Sequence, residues 1–549
     1  MERFAKQAAS LLSATLGFSI APQELEIPPE PQLGDFAFPC FKLAKQFKKS
    51  PVQLAQELAQ KLNSTLDQNT NLEVHAVGPY VNFTVPAQSV LSTLLPEILE
   101  NEGLGNYGML PKNSRGRWVI EYSSPNVAKP LNIYHLRPTA LGAALDRIGQ
   151  FRGFEVTSIN HLGDWGKQYG MLAVAFDRYA VPLSPPPSMR ELVDLYVRIN
   201  LEAQTHPEIE EEARAAFLKL EQGDPKLTAV WKMCVDISLA EFKKAYDRLG
   251  VHFDHYWGES FYKDLLHPLL DQLEKQGLLI PSEGAWVVPV ADEQGVEMPP
   301  CILKKNDGAT LYSTRDVAAA LYRHEKLNFD RMTYIVGAEQ KLHFKQIFAV
   351  LKKMGCTWVE RCEHVPFGLY RFKDAKMSTR KGNFVTLEEV LGATRARVTE
   401  LIQQRKEQLG LDLNLSSESL SATAEAVAIG AVVFFDLHTD PIKDVEFDLE
   451  RVVDFEGETG PYLQYAHTRC ISILRKAQEL GEQPGPIRFD AELVKALSAP
   501  EEILLLKTLG QFPLHLERSL SFAKASQLAH FLIDVTRAFG TFYHQCKVL

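Results

Sequence analysis

Residues 118–160 read WVIEYSSPNVAKPLNIYHLRPTALGAALDRIGQFRGFEVTSIN, and this stretch decides the fold. It begins with WVIEY and ends with VTSIN, two short apolar runs that are typical of buried strands. Between them, a loop with two prolines leads into a helix that starts near His135 and has one apolar face (Leu141, Ala144, Leu145 and Ile148). A strand, a helix and a second strand within about forty residues form a βαβ unit, which predicts a parallel sheet with helices packed on it.

The same pattern returns later in the chain. The run MTYIV at 332–336 predicts another strand, and the residues after it predict a helix that ends before Gly355, with apolar positions at helical spacing (Phe344, Ile347, Phe348, Leu351 and Met354). The intervening residues, about 170–300, contain charged helical segments and the turn-rich stretch WVVPVADEQG. We interpret them as an insertion into a Rossmann-like sheet domain.

The flanking regions differ from this pattern. The chain has 549 residues, which at about 150 residues per domain allows three or four domains. Residues 1–116 predict a small α/β domain that ends in the Gly- and Asn-rich linker NEGLGNYGMLPKNSRG. Strand signals fade after about residue 390. We therefore predict three regions: 1–116, a sheet domain at 117–390, and an all-α bundle at 391–549.

Composition narrows the possible classes of protein. Hydrophobic residues make up 45% and charged residues 23% of the chain, which argues against a disordered or collagen-like protein. The longest near-continuous apolar run, 426–435, is about half of the ~20 residues that a membrane-spanning helix needs, so we expect no membrane association.

Seven scattered cysteines without a CxxC pair argue against disulfides and a cysteine-based zinc site. We therefore expect a cytoplasmic protein without a bound metal. A net charge of −10 decides little about partners.

Two basic loops could bind phosphate. SSPNVAKPLNIYHLRPT at 123–139 lies between a strand and a helix N-terminus, where exposed amides and the helix dipole attract anions. RFKDAKMSTRKGN at 371–383 contains five basic residues and one acid before Gly382, and such a loop could close over a polyphosphate. Taken alone, an ordinary capped loop and a solvated basic loop are the more common explanations.

Tyr312 and Asp316 form a third candidate site. They are four residues apart in TLYSTRD, so on a helix they share one face. A carboxylate beside a phenol can bind a planar cation through two parallel hydrogen bonds. Simple packing of Tyr312 and a surface salt bridge of Asp316 are the alternatives.

The order of these motifs resembles the class I aminoacyl-tRNA synthetases, and their wording resembles the arginyl-tRNA synthetase family. The resemblance rests on SSPNVAKP, NHLGDWGKQYG (160–170), TRDVAAAL, HFKQ, KMSTRKGN, FEGETGPYLQYAHTR (455–469) and the N-terminal GDFAFPCF. It implies an arginine–tRNA ligase, which forms arginyl-adenylate from L-arginine and ATP with Mg²⁺ and transfers the arginyl group to tRNA(Arg). We expect a monomer with ATP, L-arginine and tRNA(Arg) as its partners.

The resemblance also implies roles for individual residues. The arginine pocket would comprise Glu121, Ser124, Pro125, Asn126, His135, Tyr312, Asp316 and Gln340. ATP would contact Asn132, His135, His343, Lys376, Met377 and Ser378, and the catalytic groups would be Lys129, His135, Lys376 and Ser378. Thr379 occupies the fourth position of the Lys-Met-Ser loop, where class I enzymes often have a second lysine. We therefore expect Lys129 to supply the missing positive charge.

The family's tRNA contacts map onto both ends of the chain. Tyr465 and Arg469 lie four apart, so both could point from one helix face to unstacked anticodon bases. The N-terminal region resembles the module that touches the tRNA elbow, where Asn82 and Phe83 are candidate contacts. A core role for Phe83 is an equally good interpretation.

The chain departs from the family at its first signature. Asn132, Ile133, Tyr134 and His135 stand where His-x-Gly-His is usual, and the tyrosine side chain occupies space that a glycine leaves for adenine. Two hypotheses therefore stay open: a working arginine–tRNA ligase, or a tRNA-binding relative with impaired activation. A different nucleotidyltransferase is a more distant third possibility, because such enzymes lack the GPYLQYAHTR helix.

Overall fold

The computed structural model describes residues 1–66, 71–99, 105–306, 308–372, 385–409, 416–481 and 491–548. The chain divides into two compact units. One unit joins the two ends of the chain, Met1–Pro111 and Phe455–Leu549, and the other is Lys112–Asp454.

The strands of both units are short. In chain order, those in the described residues are β1 (Phe36–Pro39), β2 (Glu73–Val77), β3 (Tyr80–Thr84), β4 (Arg117–Glu121), β5 (Glu155–Asn160), β6 (His255–Tyr256), β7 (Ile280–Ser282), β8 (Ala285–Ala291), β9 (Glu297–Lys305), β10 (Arg331–Gly337), β11 (Cys362–Phe367), β12 (Tyr370–Phe372) and β13 (Val445–Phe447).

Helices make up most of the rest of the described chain. In chain order they are α1 (Glu2–Leu16), α2 (Phe41–Phe47), α3 (Pro51–Thr65), α4 (Ala87–Ser89), α5 (Leu95–Leu99), α6 (Leu136–Phe151), α7 (Lys167–Arg178), α8 (Met189–Ala203), α9 (Glu208–Glu221), α10 (Pro225–Leu249), α11 (Leu266–Lys275), α12 (Tyr312–Leu327), α13 (Lys341–Lys353), α14 (Leu387–Leu409), α15 (Ser417–His438), α16 (Leu449–Val452), α17 (Gly460–Glu479), α18 (Ala491–Ala496), α19 (Pro500–Gly510), α20 (Phe512–Ser521) and α21 (Ser526–Gln545).

A parallel five-stranded sheet organises the unit 112–454. Its strand order is β11-β10-β4-β5-β6, and every neighbouring pair is parallel. The three strands predicted from WVIEY, VTSIN and MTYIV are confirmed as β4, β5 and β10. Helix α6 connects β4 to β5, and helix α13 connects β10 to β11, as the apolar spacing predicted.

The strand order places a topological switch point between β4 and β10. From β4, the chain moves through β5 to β6 on one side and returns to β10 and β11 on the other side. Ligands of open parallel sheets bind beyond the carboxyl ends of the strands at such a point. The loops after β4, β5 and β10 are therefore where this unit should hold a ligand.

Residues 286–295 correct one detail of the sequence analysis. The stretch that we interpreted as turn-rich is largely strand β8, which pairs antiparallel with β7 and β9. Val287, Val288 and Val290 of this strand are buried, whereas Pro289 is exposed. Pro289 lies at a shift of the β8–β9 register between Val288 and Val290, where the missing N–H of a proline can be tolerated.

Helix α15 is long and apolar enough to span a membrane by length and composition alone. A helix of the core of a folded unit passes the same test, and α15 packs against α6 and α14. Its Asp436 is buried and lies 3.8 Å from the guanidinium of Arg137. The hydroxyl of Tyr370 also donates to Asp436 at 2.7 Å. Of the apolar window of α15, 33% is buried, and a buried, paired carboxylate would be costly in a lipid bilayer.

The unit that joins the two chain ends has its own apolar core. It contains the antiparallel sheet β1-β3-β2 and helices α1 and α3, with a contribution from Leu514 of α20. The phenol of Tyr107 donates to the carbonyl of Gly510 at 3.1 Å. The N-terminal and C-terminal segments therefore share one packed structure.

Residues 391–454 pack within the unit that holds the parallel sheet. Strand β13 in this stretch pairs in parallel with β12, so strand structure continues past residue 390 in the described chain. This contact-based division is separate from the functional boundaries that we predicted, which stay predictions.

Candidate active site

The loop after β4 contains three of the predicted arginine-binding residues, Ser124, Pro125 and Asn126. Ser123, Ser124 and Ala128 have positive φ angles of 72°, 48° and 60°. Such conformations cost about 1–3 kcal/mol each, and they cluster at ligand sites. Within the described ranges, the Oγ of Ser124 is buried and has no hydrogen-bond partner. It is therefore well suited to bind a polar ligand group.

The loop after β5 holds the first loop in place. The N–H of Gly163 donates to the carbonyl of Pro125 at 3.0 Å, and its carbonyl accepts from the N–H of Val127 at 3.2 Å. A Cβ atom on Gly163 would lie 2.0 Å from Oδ1 of Asn126. Glycine at 163 thus allows the close approach that positions the exposed Asn126.

Hydrogen bonds among Asn132, Tyr134 and His135 stabilise the turn that leads into helix α6. Oδ1 of Asn132 accepts from the N–H of Tyr134 at 3.1 Å, and Nδ1 of His135 accepts from the N–H of Asn132 at 3.1 Å. Burial, opposed by that hydrogen bond and reinforced by the charge of Lys129, lowers the pKa of His135 to about 4. His135 is therefore neutral at pH 7, and its Nε2–H can act as a neutral donor to an anion.

Lys129 is exposed on the same loop as His135. Its Nζ atom lies 5.6 Å from the centre of the Tyr196 ring, a cation–π distance. Lys376, Met377 and Ser378, the predicted partners of this charge, lie outside the described residues.

Asp316 lies near the N-terminus of α12, where two histidines flank its carboxylate. Nε2 of His343 donates to Oδ2 at 2.6 Å, and Nε2 of His161 lies 3.8 Å from Oδ1. His161 follows β5 and His343 follows β10, so Asp316 lies at the carboxyl edge of the sheet, beside the switch point.

Electrostatics keep the Asp316 carboxyl ionised. Burial opposes ionisation, but the hydrogen bond and charge of His343, with the charges of His161 and Arg323, lower its pKa below the usual value. The side chain remains 26% exposed. An ionised, reachable carboxylate at this edge is the group that a guanidinium ligand requires.

Tyr312 and Arg315 lie on the same helix as Asp316, α12. Tyr312 is 66% exposed, and the guanidinium of Arg315 lies 5.4 Å from the centre of its ring. Arg315 also pairs with the buried Glu259 at 3.0 Å. Burial, opposed by Arg315 and reinforced by Asp316 and Asp164, raises the pKa of Glu259 to about 8.

Glu121, at the end of β4, is buried against an arginine of the protein itself. It forms an ion pair with Arg323 of α12, which is almost fully buried. Nε of Arg323 also donates to the phenol of Tyr262 at 3.1 Å. The carboxylate of Glu121 is therefore neutralised internally, while that of Asp316 faces the site.

Gln340 ends the short 3₁₀ turn Ala338–Gln340 directly after β10, and it is exposed. The structure thus places Gln340 at the same sheet edge as Asp316 and the β4 loop. His161 and Arg323 are the residues that the sequence analysis missed. The position of His161 one residue after a predicted parallel strand was a usable signal, but nothing in the local sequence linked Arg323 to Glu121.

The predicted tRNA contacts lie in the other unit. Phe83 is fully buried in the core of the β1-β3-β2 sheet, and Asn82 is 3% exposed and donates to the carbonyl of Leu33. Tyr465 on α17 is 51% exposed. The guanidinium of Arg469 donates to the Tyr465 hydroxyl at 2.8 Å.

Arg469 lies between two tyrosine rings. Its guanidinium is 4.9 Å from the ring centre of Tyr465 and 4.7 Å from that of Tyr543, on α21. Aromatic rings with an arginine are the groups on which unstacked bases are bound. In the described residues, no cluster of three or more His, Cys, Asp or Glu side chains could hold a metal ion.

Family models match nearly the whole chain. The model described as tRNA synthetases class I (R), catalytic domain, matches residues 95–449. The arginyl tRNA synthetase N terminal domain matches 2–85, and the DALR anticodon binding domain matches 463–549. The chain belongs to the arginyl-tRNA synthetase family.

Curated relatives agree with this family along most of their lengths. The arginine–tRNA ligase of Clostridium kluyveri is 41% identical over 527 residues, which cover 96% of this chain and 89% of the relative. That of Exiguobacterium sibiricum is 41% identical over 553 residues, covering 100% and 93%.

Solved arginyl-tRNA synthetases support the fold. The enzyme of Plasmodium falciparum matches with a TM-score of 0.79 and 24% identity over 99% of this chain and 93% of its own. That of Thermus thermophilus matches with a TM-score of 0.78 and 24% identity over 100% and 92%. The predicted family, fold class and class I arginine–tRNA ligase activity are confirmed.

Proposed function

We propose that this arginine–tRNA ligase binds L-arginine and ATP at the carboxyl edge of the sheet, between β4 and β10. Asp316 is the observation that supports the proposal best. Its carboxylate has a lowered pKa, is partly exposed and accepts a hydrogen bond from His343 beside the switch point, with His161 3.8 Å away. A fixed carboxylate selects a guanidinium over a neutral isostere such as citrulline, because the binding energy depends on charge.

The arginine substrate would extend from Asp316 to the β4 loop. Tyr312 would contact the guanidinium beside Asp316, and the α-amino and carboxyl groups would reach the β4 loop (Ser124, Pro125 and Asn126) and Gln340. Glu121 would support this pocket indirectly, through its buried ion pair with Arg323. Ser124 contributes a buried hydroxyl that awaits a partner.

The nucleotide would lie over the entry to α6. ATP with Mg²⁺ enters as substrate, and the neutral His135, Asn132 and the cationic Lys129 would contact its phosphates near the positive end of the helix dipole. Lys376, Met377 and Ser378 would complete the phosphate site. Attack of the arginine carboxylate on the α-phosphorus then releases pyrophosphate, and the protein contributes positioning and charge stabilisation.

The three predicted regions would divide the work. Residues 117–390 would hold both small substrates, and residues 391–549 would bind the anticodon through Tyr465 and Arg469. Residues 1–116 would touch the tRNA elbow, with the buried Asn82 and Phe83 supporting that surface from inside. We propose a cytoplasmic protein, because all seven cysteines, each in the described residues, are free thiols. A monomeric state without membrane association stays a prediction.

Pyrophosphate exchange tests this function. With arginine, ATP and tRNA(Arg), the wild-type protein should exchange labelled pyrophosphate into ATP, and Lys129→Ala should slow exchange by about tenfold or more because a phosphate charge is lost. Arginine affinity of Lys129→Ala should stay the same. The matched control is Lys244→Ala, an exposed lysine of α10.

The same assay tests the departure from the family signature at Tyr134. Weak exchange by a wild-type protein that binds tRNA(Arg) tightly would show that this departure slows the activation step. In that case, Tyr134→Gly should restore exchange if the tyrosine ring obstructs adenine.

A further inference from the structure

His343 was expected to contact ATP, but its ring is committed elsewhere. Nε2 of His343 lies 2.6 Å from Oδ2 of Asp316. An ionised carboxylate has no proton, so the ring nitrogen must be the donor. Such a charge-assisted hydrogen bond fixes the orientation of the carboxylate.

The second carboxylate oxygen also faces a histidine. Nε2 of His161 lies 3.8 Å from Oδ1 of Asp316, and Nδ1 of His161 lies 3.0 Å from the carbonyl of Trp257 and 3.2 Å from a guanidinium nitrogen of Arg323. Arg323 is in turn paired with Glu121. A continuous set of polar side chains therefore runs from the end of β4 to Asp316.

This arrangement matters for how tightly Asp316 can hold a planar cation. Two parallel hydrogen bonds between a guanidinium and a carboxylate require the carboxylate plane to be fixed. Asp316 has two rotatable bonds and is partly exposed, so without an internal donor the carboxylate would sample several orientations. The contact with His343 removes much of that freedom before the substrate arrives.

We propose that His343 is a positioning residue for arginine, acting through Asp316, and that it contributes to selection of arginine and not to ATP binding. This inference rests on the proposed function of Asp316 as the reader of the guanidinium. It reassigns His343 from the nucleotide side of the site to the amino-acid side.

Calorimetry on the full-length protein tests the proposal without requiring turnover. Arginine and a non-hydrolysable ATP analogue with Mg²⁺ would be titrated separately into wild type, His343→Leu, His343→Gln and His343→Asn. We expect His343→Leu to weaken arginine binding about tenfold or more. Its affinity for the ATP analogue should change less than twofold.

The two amide variants give the readout that a purely structural role would not give. The amide nitrogen of glutamine reaches about as far as Nε2 of histidine, so His343→Gln should recover much of the arginine affinity. Asparagine is one methylene shorter and should recover less. If His343→Leu fails to fold, the comparison of glutamine with asparagine still decides the matter.

A matched control is His267→Leu, at an exposed position of α11. It should leave both affinities unchanged. The proposal is overturned if His343→Leu binds arginine as wild type does, if it loses affinity for the ATP analogue and keeps it for arginine, or if glutamine is no better than asparagine. A wild type that binds arginine but gives no pyrophosphate exchange would contradict the proposed ligase function alone, since the calorimetric comparison would remain valid.

Discussion

Gly163 illustrates at the residue scale how a missing side chain shapes the site. The residue bonds through both backbone groups to the β4 loop, and Oδ1 of Asn126 occupies the space where a Cβ atom would be. The sequence analysis identified NHLGDWG as part of a family motif, but it offered no physical reason for the glycine at 163. The reason is the contact with Asn126, 37 positions earlier in the chain.

Gly163→Ala should therefore displace the Asn126 side chain and weaken arginine binding by about tenfold or more, because Asn126 is one of the residues that we propose to bind the substrate. Arginine titration calorimetry would measure the change. The matched control is Gly392→Ala in α14, where the added Cβ atom meets nothing within 4 Å. That variant should gain up to about 1 kcal/mol of stability from helix propensity. Equal arginine affinity in both variants would contradict the role of Gly163.

Buried histidines give the protein a dependence on pH. His515 of α20 stacks on Phe531 with ring centres 4.6 Å apart. Burial, with the charge of Arg518, lowers the pKa of His515 from 6.5 to about 4. Between these values the unfolded chain binds a proton that the folded chain does not, so stability falls as the pH drops from 6.5 towards 4.

For His515, the loss in that window should reach about 3 kcal/mol. His515→Leu should flatten the pH dependence, and His544→Gln, an exposed change on α21, should not. All six tryptophans lie in residues 118–358. Tryptophan fluorescence therefore reports only on the unit Lys112–Asp454, which does not contain His515. Hydrogen exchange of the α20 amides at pH 4.5 and 6.5 is the appropriate measurement. An unchanged difference in exchange between the two pH values in His515→Leu would rule out this origin.

At the scale of elements, an ion pair ties the two ends of the chain together. Oδ2 of Asp35, just before β1, accepts from Nζ of Lys507 on α19 at 2.8 Å and from the N–H of Val85 at 2.7 Å. The Asp35 side chain is 9% exposed, and that of Lys507 is 17% exposed. Removal of one partner from such a pair leaves a poorly solvated charge behind.

Lys507→Met should therefore destabilise the unit of the two chain ends by about 3 kcal/mol, and adding Asp35→Asn should recover part of the loss. Urea unfolding followed by circular dichroism would detect it, while the tryptophan transition should stay in place. Lys6→Met serves as the control, since in its 2.7 Å pair with Glu2 the Lys6 side chain is 64% exposed, and the pair should contribute less than about 1 kcal/mol. Equal losses in both variants would show that burial of the pair is unimportant.

At the scale of the whole molecule, the chain must bind two small substrates and a large polyanion although its net charge is −10. Local groups must then provide the attraction for tRNA. We propose Arg469, whose guanidinium lies within 5 Å of the ring centres of Tyr465 and Tyr543, as one such group.

We expect Arg469→Gln to weaken tRNA(Arg) binding about tenfold and to leave arginine affinity unchanged, because the proposed role of the guanidinium is to stack on unpaired bases. Filter binding across a range of salt concentrations would also show a smaller salt dependence. Arg475→Gln on the same helix is the control, since Arg475 is exposed. Equal effects of the two changes would point to nonspecific attraction by the helix.

Much of the fold followed from periodicity. Short apolar runs separated by amphipathic helices predicted β4, β5 and β10, because a strand covered on both faces must be continuously apolar. The stretch 286–295 was interpreted incorrectly, because its proline and terminal glycine hid an antiparallel strand whose valines point into a core. Local signals fail where burial against a distant element decides the structure.

The sequence alone determined the family, the βαβ framework and the candidate carboxylate Asp316, since strand periodicity and motif wording are local properties. Only the tertiary structure decided that His343 forms a hydrogen bond with Asp316, that Arg323 forms an ion pair with Glu121, and that the two ends of the chain form one unit. Those relations join residues that are distant in sequence. Chain topology and burial bring them within hydrogen-bonding distance, and no pattern of neighbouring residues encodes that distance.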